Sequence, residues 1–286
     1  MSRIAYVNGQ YLPHADARVH VEDRGYQFSD GVYEVCEVHD GHLVDETRHM
    51  ARLARSLREL RIREPMSAKA FGHVLRETVR RNRVRNGLVY LQVTRGVARR
   101  DHPFPKGDVK PAVVVTARSL DPRKGEKSAE NGIGVITVPE NRWERVDIKT
   151  VGLLPNVLAR QAAEEAGAQE AWFVDKDGNV TEGSATNAWI VDKDGRLITR
   201  PAESGILRGI TRTVVVDVAR DEGVEIVERP FTVEEAKTAR EAFVTSATKL
   251  VMPVVKIDDA VIGNGKPGSI ATKLRELFYT QAEIAQ

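Results

Sequence analysis

Cysteine is nearly absent from this sequence. Its 286 residues hold one, Cys36, so no intrachain disulfide can form and a reducing compartment is expected. Aromatic residues are sparse at 6%. Charge of one sign is missing too: 43 Lys and Arg stand against 41 Asp and Glu, a net of +2. That balance excludes a strong electrostatic case for nucleic acid or an acidic membrane surface. No apolar run approaches the ~20 residues of a membrane span, and the start, Met-Ser-Arg-Ile-Ala-Tyr-Val, lacks the apolar core of a signal peptide. A cytoplasmic protein is expected. No metal is expected either.

What is present suffices for real cores: 41% of the residues are hydrophobic, and the length suits one large or two medium domains. Asn8-Gly9 between apolar segments predicts a hairpin over 3–12. Strands are predicted over 32–38, 42–44, 88–94 and 113–115. Met50, Leu53, Leu57 and Leu60 recur three and four apart and predict a helix over 46–60; Phe71, Val74, Leu75 and Val79 do the same for 67–81. Residues 18–31 have no clean period and read as a loop. Cys36, in the apolar run 32–38, reads as packing. The polar, breaker-rich stretch 118–131 marks a boundary. A smaller α+β domain is therefore expected over 1–120, a linker over 121–131 and a larger domain over 132–286. Strands dominate both halves and helices pair up rather than alternate with them, which argues for two α+β domains and against a doubly wound sheet.

The second half carries the chemistry. Val146 and Ile148 alternate with Arg145, Asp147 and Lys149, which reads as a half-buried strand. A break at Gly152 and Pro155 and a helix over 157–166 follow. A lysine at such a junction can form a Schiff base with a carbonyl, provided some of it stays neutral. Taken singly it is one basic residue of 43. Glu182 stands in the small-residue turn Thr181-Glu-Gly-Ser-Ala-Thr-Asn187 and is either an exposed turn acid or a partner for a heterocyclic nitrogen. Leu207-Arg-Gly209-Ile210-Thr211 opens a helix, whose free amides and threonine hydroxyl suit a phosphate, or simply an N-cap. Thr245, Ser246 and Thr248 offer more hydroxyls. Arg52, on the first long helix, reads alone as a surface arginine, though it can serve a phosphate as a fixed charge. Arg100 and His102, in the loop after a strand, are either a charged loop or a fork for a carboxylate. Tyr33 is either a core aromatic or a cleft hydroxyl. Together these are the needs of an enzyme that handles amino acids with pyridoxal phosphate.

The blocks Asp23-Arg-Gly-Tyr-Gln-Phe28, Asp30-Gly-Val-Tyr-Glu34, His49-Met-Ala-Arg52-Leu, Asp147-Ile-Lys149, Thr181-Glu-Gly-Ser184, Leu207-Arg-Gly-Ile-Thr-Arg212 and Phe243-Val-Thr-Ser246 resemble, in order and nearly end to end, those of the fold-type IV pyridoxal-phosphate enzymes, the class IV aminotransferases. Gln92-Val-Thr-Arg-Gly96 followed by Arg100-Asp-His102 is most similar to the D-amino-acid transaminases among them. The resemblance implies two α+β domains with the active site between them. It makes Lys149 the Schiff-base lysine and Glu182 the partner of the pyridine nitrogen. It puts Arg52, Gly209, Ile210 (through its amide), Thr211, Ser246 and Thr248 at the cofactor, mostly at its phosphate, and Leu207 against its ring. It implies that Tyr33, Arg100 and His102 bind the substrate carboxylate, with the last two reaching across a homodimer interface. The implied activity moves an amino group between a D-amino acid (D-alanine, D-glutamate) and a 2-oxo acid by a ping-pong route. A branched-chain L-aminotransferase is the main alternative. Behind it stand aminodeoxychorismate lyase, an (R)-amine transaminase and a noncatalytic binder. The sequence departs from the D-amino-acid enzymes at Ala185 and Thr186, where they have serines, and at Ala247, where they have threonine.

Overall fold

The computed structural model describes residues 3–203 and 205–285. In chain order, β1 (Ile4–Val7) and β2 (Gln10–Pro13) form the expected hairpin, and both turn residues have positive φ, Asn8 at 49° and Gly9 at 99°. A short helix α1 (Arg24–Phe28) follows, then β3 (Gly31–His39), β4 (His42–Val44), α2 (Glu46–Glu59), α3 (Ala68–Asn82), β5 (Gly87–Thr94) and β6 (Ala112–Ser119). Next come α4 (Pro122–Asn131), β7 (Ile133–Pro139), α5 (Leu154–Glu165), β8 (Glu170–Val174), β9 (Val180–Gly183), β10 (Asn187–Val191) and β11 (Leu197–Thr199). The chain finishes through α6 (Ile210–Asp221), β12 (Ile226–Glu228), α7 (Val233–Lys237), β13 (Glu241–Ser246), β14 (Leu250–Ile257), β15 (Ala260–Val261), α8 (Ser269–Gln281) and β16 (Ile284–Ala285).

Two compact units result. The first takes Met1–Pro122, Ile148–Gly152 and Glu283–Gln286; the second takes Arg123–Asp147 and Leu153–Ala282. The sheet of the first unit runs β16-β4-β3-β5-β6-β1-β2, with every pairing antiparallel. Its alternation is plain in β3: Val32, Cys36 and Val38 are buried, and they join Leu53 and Leu57 of α2 and Leu75 and Val79 of α3 in one core. Cys36 belongs to that core, and burial drives its thiol pKa well up.

The sheet of the second unit runs β12-β11-β10-β13-β14-β7-β8-β9, with β15 paired to β14. It is mixed, since β11–β12, β14–β7 and β7–β8 are parallel. Its core gathers Trp172, Ile190, Ile198, Val244 and Phe231. The α+β expectation holds in both units.

Three local expectations do not hold. Residues 143–149 are not a strand but a turn-rich segment: alternation over so few residues decides nothing without a partner strand, and Arg145 instead bends back to pair with Asp147 at 2.9 Å. The stretch 18–31 contains α1, whose Asp23 side chain accepts from the Gly25 amide as an N-cap. The breaker-rich stretch ending at Asn131 forms α4, and Pro122 at its first position suits a helix start.

Candidate active site

In the first unit, Ile148–Gly152 lies along the start of β3. The Tyr33 amide donates to the Lys149 carbonyl at 3.0 Å, the Val151 amide donates to the Gly31 carbonyl at 3.1 Å, and Val32 bridges Thr150. Strand β4 pairs only with the far end of β3, at Val38 and His39. That leaves this edge to the Lys149 segment. The register sets Lys149 beside Tyr33: its Nζ donates to the Tyr33 hydroxyl at 3.2 Å and lies 4.3 Å from the centre of that ring. Tyr90 stacks on Tyr33 at 5.7 Å and donates to Gln92. Burial, and then the neighbouring Tyr33, push the Tyr90 phenol up to about 12, so it keeps its proton at neutral pH.

The next residue of β3 faces the helices. Glu34 is 1% exposed and is gripped from α2, where Arg52 donates through Nε at 2.8 Å and Nη2 at 2.7 Å and His49 Nδ1 lies 2.7 Å away. Burial alone would raise this carboxyl. The Arg52 charge, with the Arg52 and His49 hydrogen bonds, outweighs burial and holds its pKa at about 2. Arg52 therefore stands in the structure as the fixed partner of Glu34, with its guanidinium plane set by a two-point bond.

Arg100 and His102 do come together. Both are exposed, and both rest on the Phe28 ring: the Arg100 guanidinium is 5.0 Å from its centre and the His102 ring 5.6 Å.

In the second unit, Glu182 of β9 is 5% exposed. Its carboxylate accepts from Arg142 Nη1 at 2.6 Å, from Asn187 Nδ2 at 2.9 Å and from the Leu207 amide at 3.2 Å. Arg142 also binds Glu140 and lies over Phe173 at 4.4 Å. Burial works against its charge, but the Glu140 and Glu182 carboxylates outweigh burial and raise its pKa. Asn187 donates a second bond to the Leu207 carbonyl at 2.9 Å, so one amide group ties the Glu182 strand to the loop that opens α6. Sequence reasoning missed both Arg142 and Asn187. Asn187 closes the small-residue turn that singled out Glu182, and Arg142 shows its role only when 142 and 182 meet in space.

Helix α6 begins at Gly209 with no side-chain cap bond, and Ile210 and Thr211 are buried in its first turn. A Cβ at Gly209 would lie 2.1 Å from Asn187 Oδ1, so the close approach of helix start and amide requires glycine. Ser246, at the end of β13, has a buried Oγ with no hydrogen-bond partner among the described residues, and Thr248 is exposed in the turn beyond it. An uncapped helix start, an orphan buried hydroxyl and a carboxylate braced by an arginine suit a phosphorylated heterocycle with a basic ring nitrogen. The donor set fits pyridoxal phosphate.

A model of the amino-transferase class IV family matches residues 31–257. The chain belongs to the class IV aminotransferases. The D-alanine aminotransferase of Staphylococcus haemolyticus is 41% identical over 278 residues, 97% of each chain. Among solved structures, the branched-chain amino acid aminotransferase of Escherichia coli superposes with a TM-score of 0.91 at 24% identity, covering 98% of this chain and 94% of that one. A T.th. branched-chain amino acid aminotransferase with pyridoxamine 5'-phosphate gives 0.89 at 28% identity, covering 98% and 93%. Family and fold agree with the sequence blocks quoted above.

Proposed function

We propose that this class IV aminotransferase is a pyridoxal-phosphate-dependent D-amino-acid transaminase. It moves the amino group between D-alanine or D-glutamate and a 2-oxo acid, pyruvate or 2-oxoglutarate. The observation that carries the substrate assignment is the gathering of Arg100 and His102 on one aromatic ring, a cationic fork for a carboxylate, in a chain so similar over its length to a D-alanine aminotransferase.

When bound, pyridoxal phosphate supplies an electron sink that weakens the bond between the substrate α-carbon and its hydrogen. Lys149 would hold the cofactor, and its Nζ would take the substrate α-proton and return it. The Tyr33 hydroxyl, already accepting from Lys149, aims that amine. Glu182 pairs with the ring nitrogen, and Arg142 and Asn187 keep it in place. Gly209, the Ile210 amide, Thr211, Ser246, Thr248 and Arg52 hold the phosphate, and Leu207 flanks the ring. Tyr33, Arg100 and His102 bind the substrate carboxylate. Turnover is ping-pong, with the first oxo acid leaving before the second binds.

The active form is a homodimer in which Arg100 and His102 serve the neighbouring subunit. Exposed apolar surface supports assembly. On α5, Leu154, Val157 and Leu158 are 69%, 59% and 59% exposed, at i, i+3 and i+4 of one face.

The deciding experiment is an absorbance titration of the purified holoprotein with D- and L-amino acids. The reading requires D-alanine to change the cofactor band and yield pyruvate. A response to L-leucine alone would assign a branched-chain enzyme, and pyruvate from aminodeoxychorismate without an amino acceptor a lyase. No response to any of them would leave a noncatalytic binder.

A further inference from the structure

We infer that Arg24, Asp30 and Arg95 form a latch that builds the carboxylate fork before substrate arrives, with Arg24 as its positioning residue. This rests on the reading of Arg100 and His102 as that fork.

Arg24 is 3% exposed, although it opens a five-residue helix in a segment rich in exposed side chains. Every described bond it makes from its side chain ends on the latch or on the fork loop. Its Nε donates to Asp30 Oδ2 at 2.8 Å, its Nη1 to the Asp101 carbonyl at 2.6 Å and its Nη2 to the His102 carbonyl at 3.3 Å. Its guanidinium also lies 4.8 Å from the centre of the Phe28 ring, the ring on which Arg100 and His102 rest.

Asp30 is shared. Arg95, 8% exposed, grips the same carboxylate at 2.7 and 2.9 Å. It also donates to the Leu60 and Arg61 carbonyls and lies 3.7 Å from the Phe104 ring centre. The loop that carries the fork is thus held on both sides of His102: by carbonyls and Phe28 on one side, by Phe104 on the other. A fork fixed in this way loses less freedom when a carboxylate binds, and preorganisation of that kind shows in binding rather than in the chemical step.

Removing Arg24 leaves Asp30 bound at two points by Arg95, so no buried charge is orphaned and the fold should survive Arg24→Met. The experiment uses the full-length holoprotein and compares Arg24→Met, Arg24→Lys and Arg100→Ala. It measures KM and kcat for D-alanine, inhibition by propanoate (a carboxylate without an amine), and amide hydrogen exchange over 97–104. Arg24→Met should raise KM and weaken propanoate roughly tenfold to a hundredfold, change kcat far less, and speed exchange in the loop. Arg24→Lys, which keeps the Asp30 pair and one carbonyl bond, should recover part of each. If Arg100→Ala weakens propanoate while both Arg24 variants leave it unchanged, the latch is overturned and the fork stands. If Arg100→Ala changes nothing, the fork reading itself fails and takes the latch with it. Should Arg24→Met not fold, Arg24→Lys decides alone: wild-type KM, inhibition and exchange would overturn the proposal.

Discussion

Lys149 Nζ has the Tyr33 hydroxyl 3.2 Å away and that ring's centre 4.3 Å away. One aromatic side chain therefore fixes both the direction and the height of the amine. If that amine is the one that carries the cofactor and moves the proton, Lys149→Ala will abolish turnover. It will also abolish the cofactor linkage that borohydride makes permanent, read by mass spectrometry of the reduced protein. A linkage that survives would assign a different lysine. Arg100→Ala removes a charge-assisted hydrogen bond of about 1.5–3 kcal/mol, so kcat/KM for D-alanine should fall about tenfold to a hundredfold. Steady-state kinetics that return the wild-type value would strip Arg100 of its role.

Among the elements, β3 carries opposite duties on its two faces. Tyr33 meets Lys149, while Glu34, one residue on, anchors α2 through Arg52 and His49. Glu34→Gln would break the buried two-point ion pair with Arg52, at a cost of about 3–5 kcal/mol, measurable by denaturant unfolding at neutral pH. The pH dependence has a definite sign. The folded pKa of Glu34, about 2, lies below its ordinary 4.5, so the ion pair stabilises fully above that ordinary value and fades as pH falls toward 2. The stability gap between the wild type and Glu34→Gln should therefore close across that interval, and a gap that stays constant would contradict the assignment.

Legibility differed by element for physical reasons. The α2 and α3 stripes, the apolar run of β3 and the Asn8-Gly9 hairpin are local patterns, and each folded as the predicted element. The Lys149 segment was singled out by its residue types, but its structure was not legible. Its partner, the edge of β3, lies more than a hundred residues away, and a strip of two or three backbone bonds leaves no periodicity behind. Strand β14 escaped because Pro253 sits inside it, and proline argues against a central strand; here a register shift follows at Val254. Of the candidate site, residue types were readable and braces were not. Arg142, Asn187 and Arg24 act through geometry that only the folded chain displays.

For the molecule as a whole, the exposed face of α5 bears on assembly. Leu158→Glu would put a charge into the Leu154, Val157 and Leu158 stripe. If that stripe is a subunit contact, the variant should sediment as a monomer and lose D-alanine turnover with it, while its far-UV circular dichroism stays unchanged. Sedimentation velocity that shows an intact dimer would place the interface elsewhere. The division into two units also has a consequence for anyone who would cut this protein. The first unit borrows Ile148–Gly152 from the middle of the chain and Glu283–Gln286 from its end. The Gly31 carbonyl and Tyr33 amide find their partners in the first borrowed strip, and the Asp45 amide finds the Glu283 carbonyl in the second. A fragment stopping at Pro122 would expose those groups and lose the lysine as well. Gene truncation at the apparent boundary would yield neither half, and a split version would have to keep 148–152 in register with its distant strand.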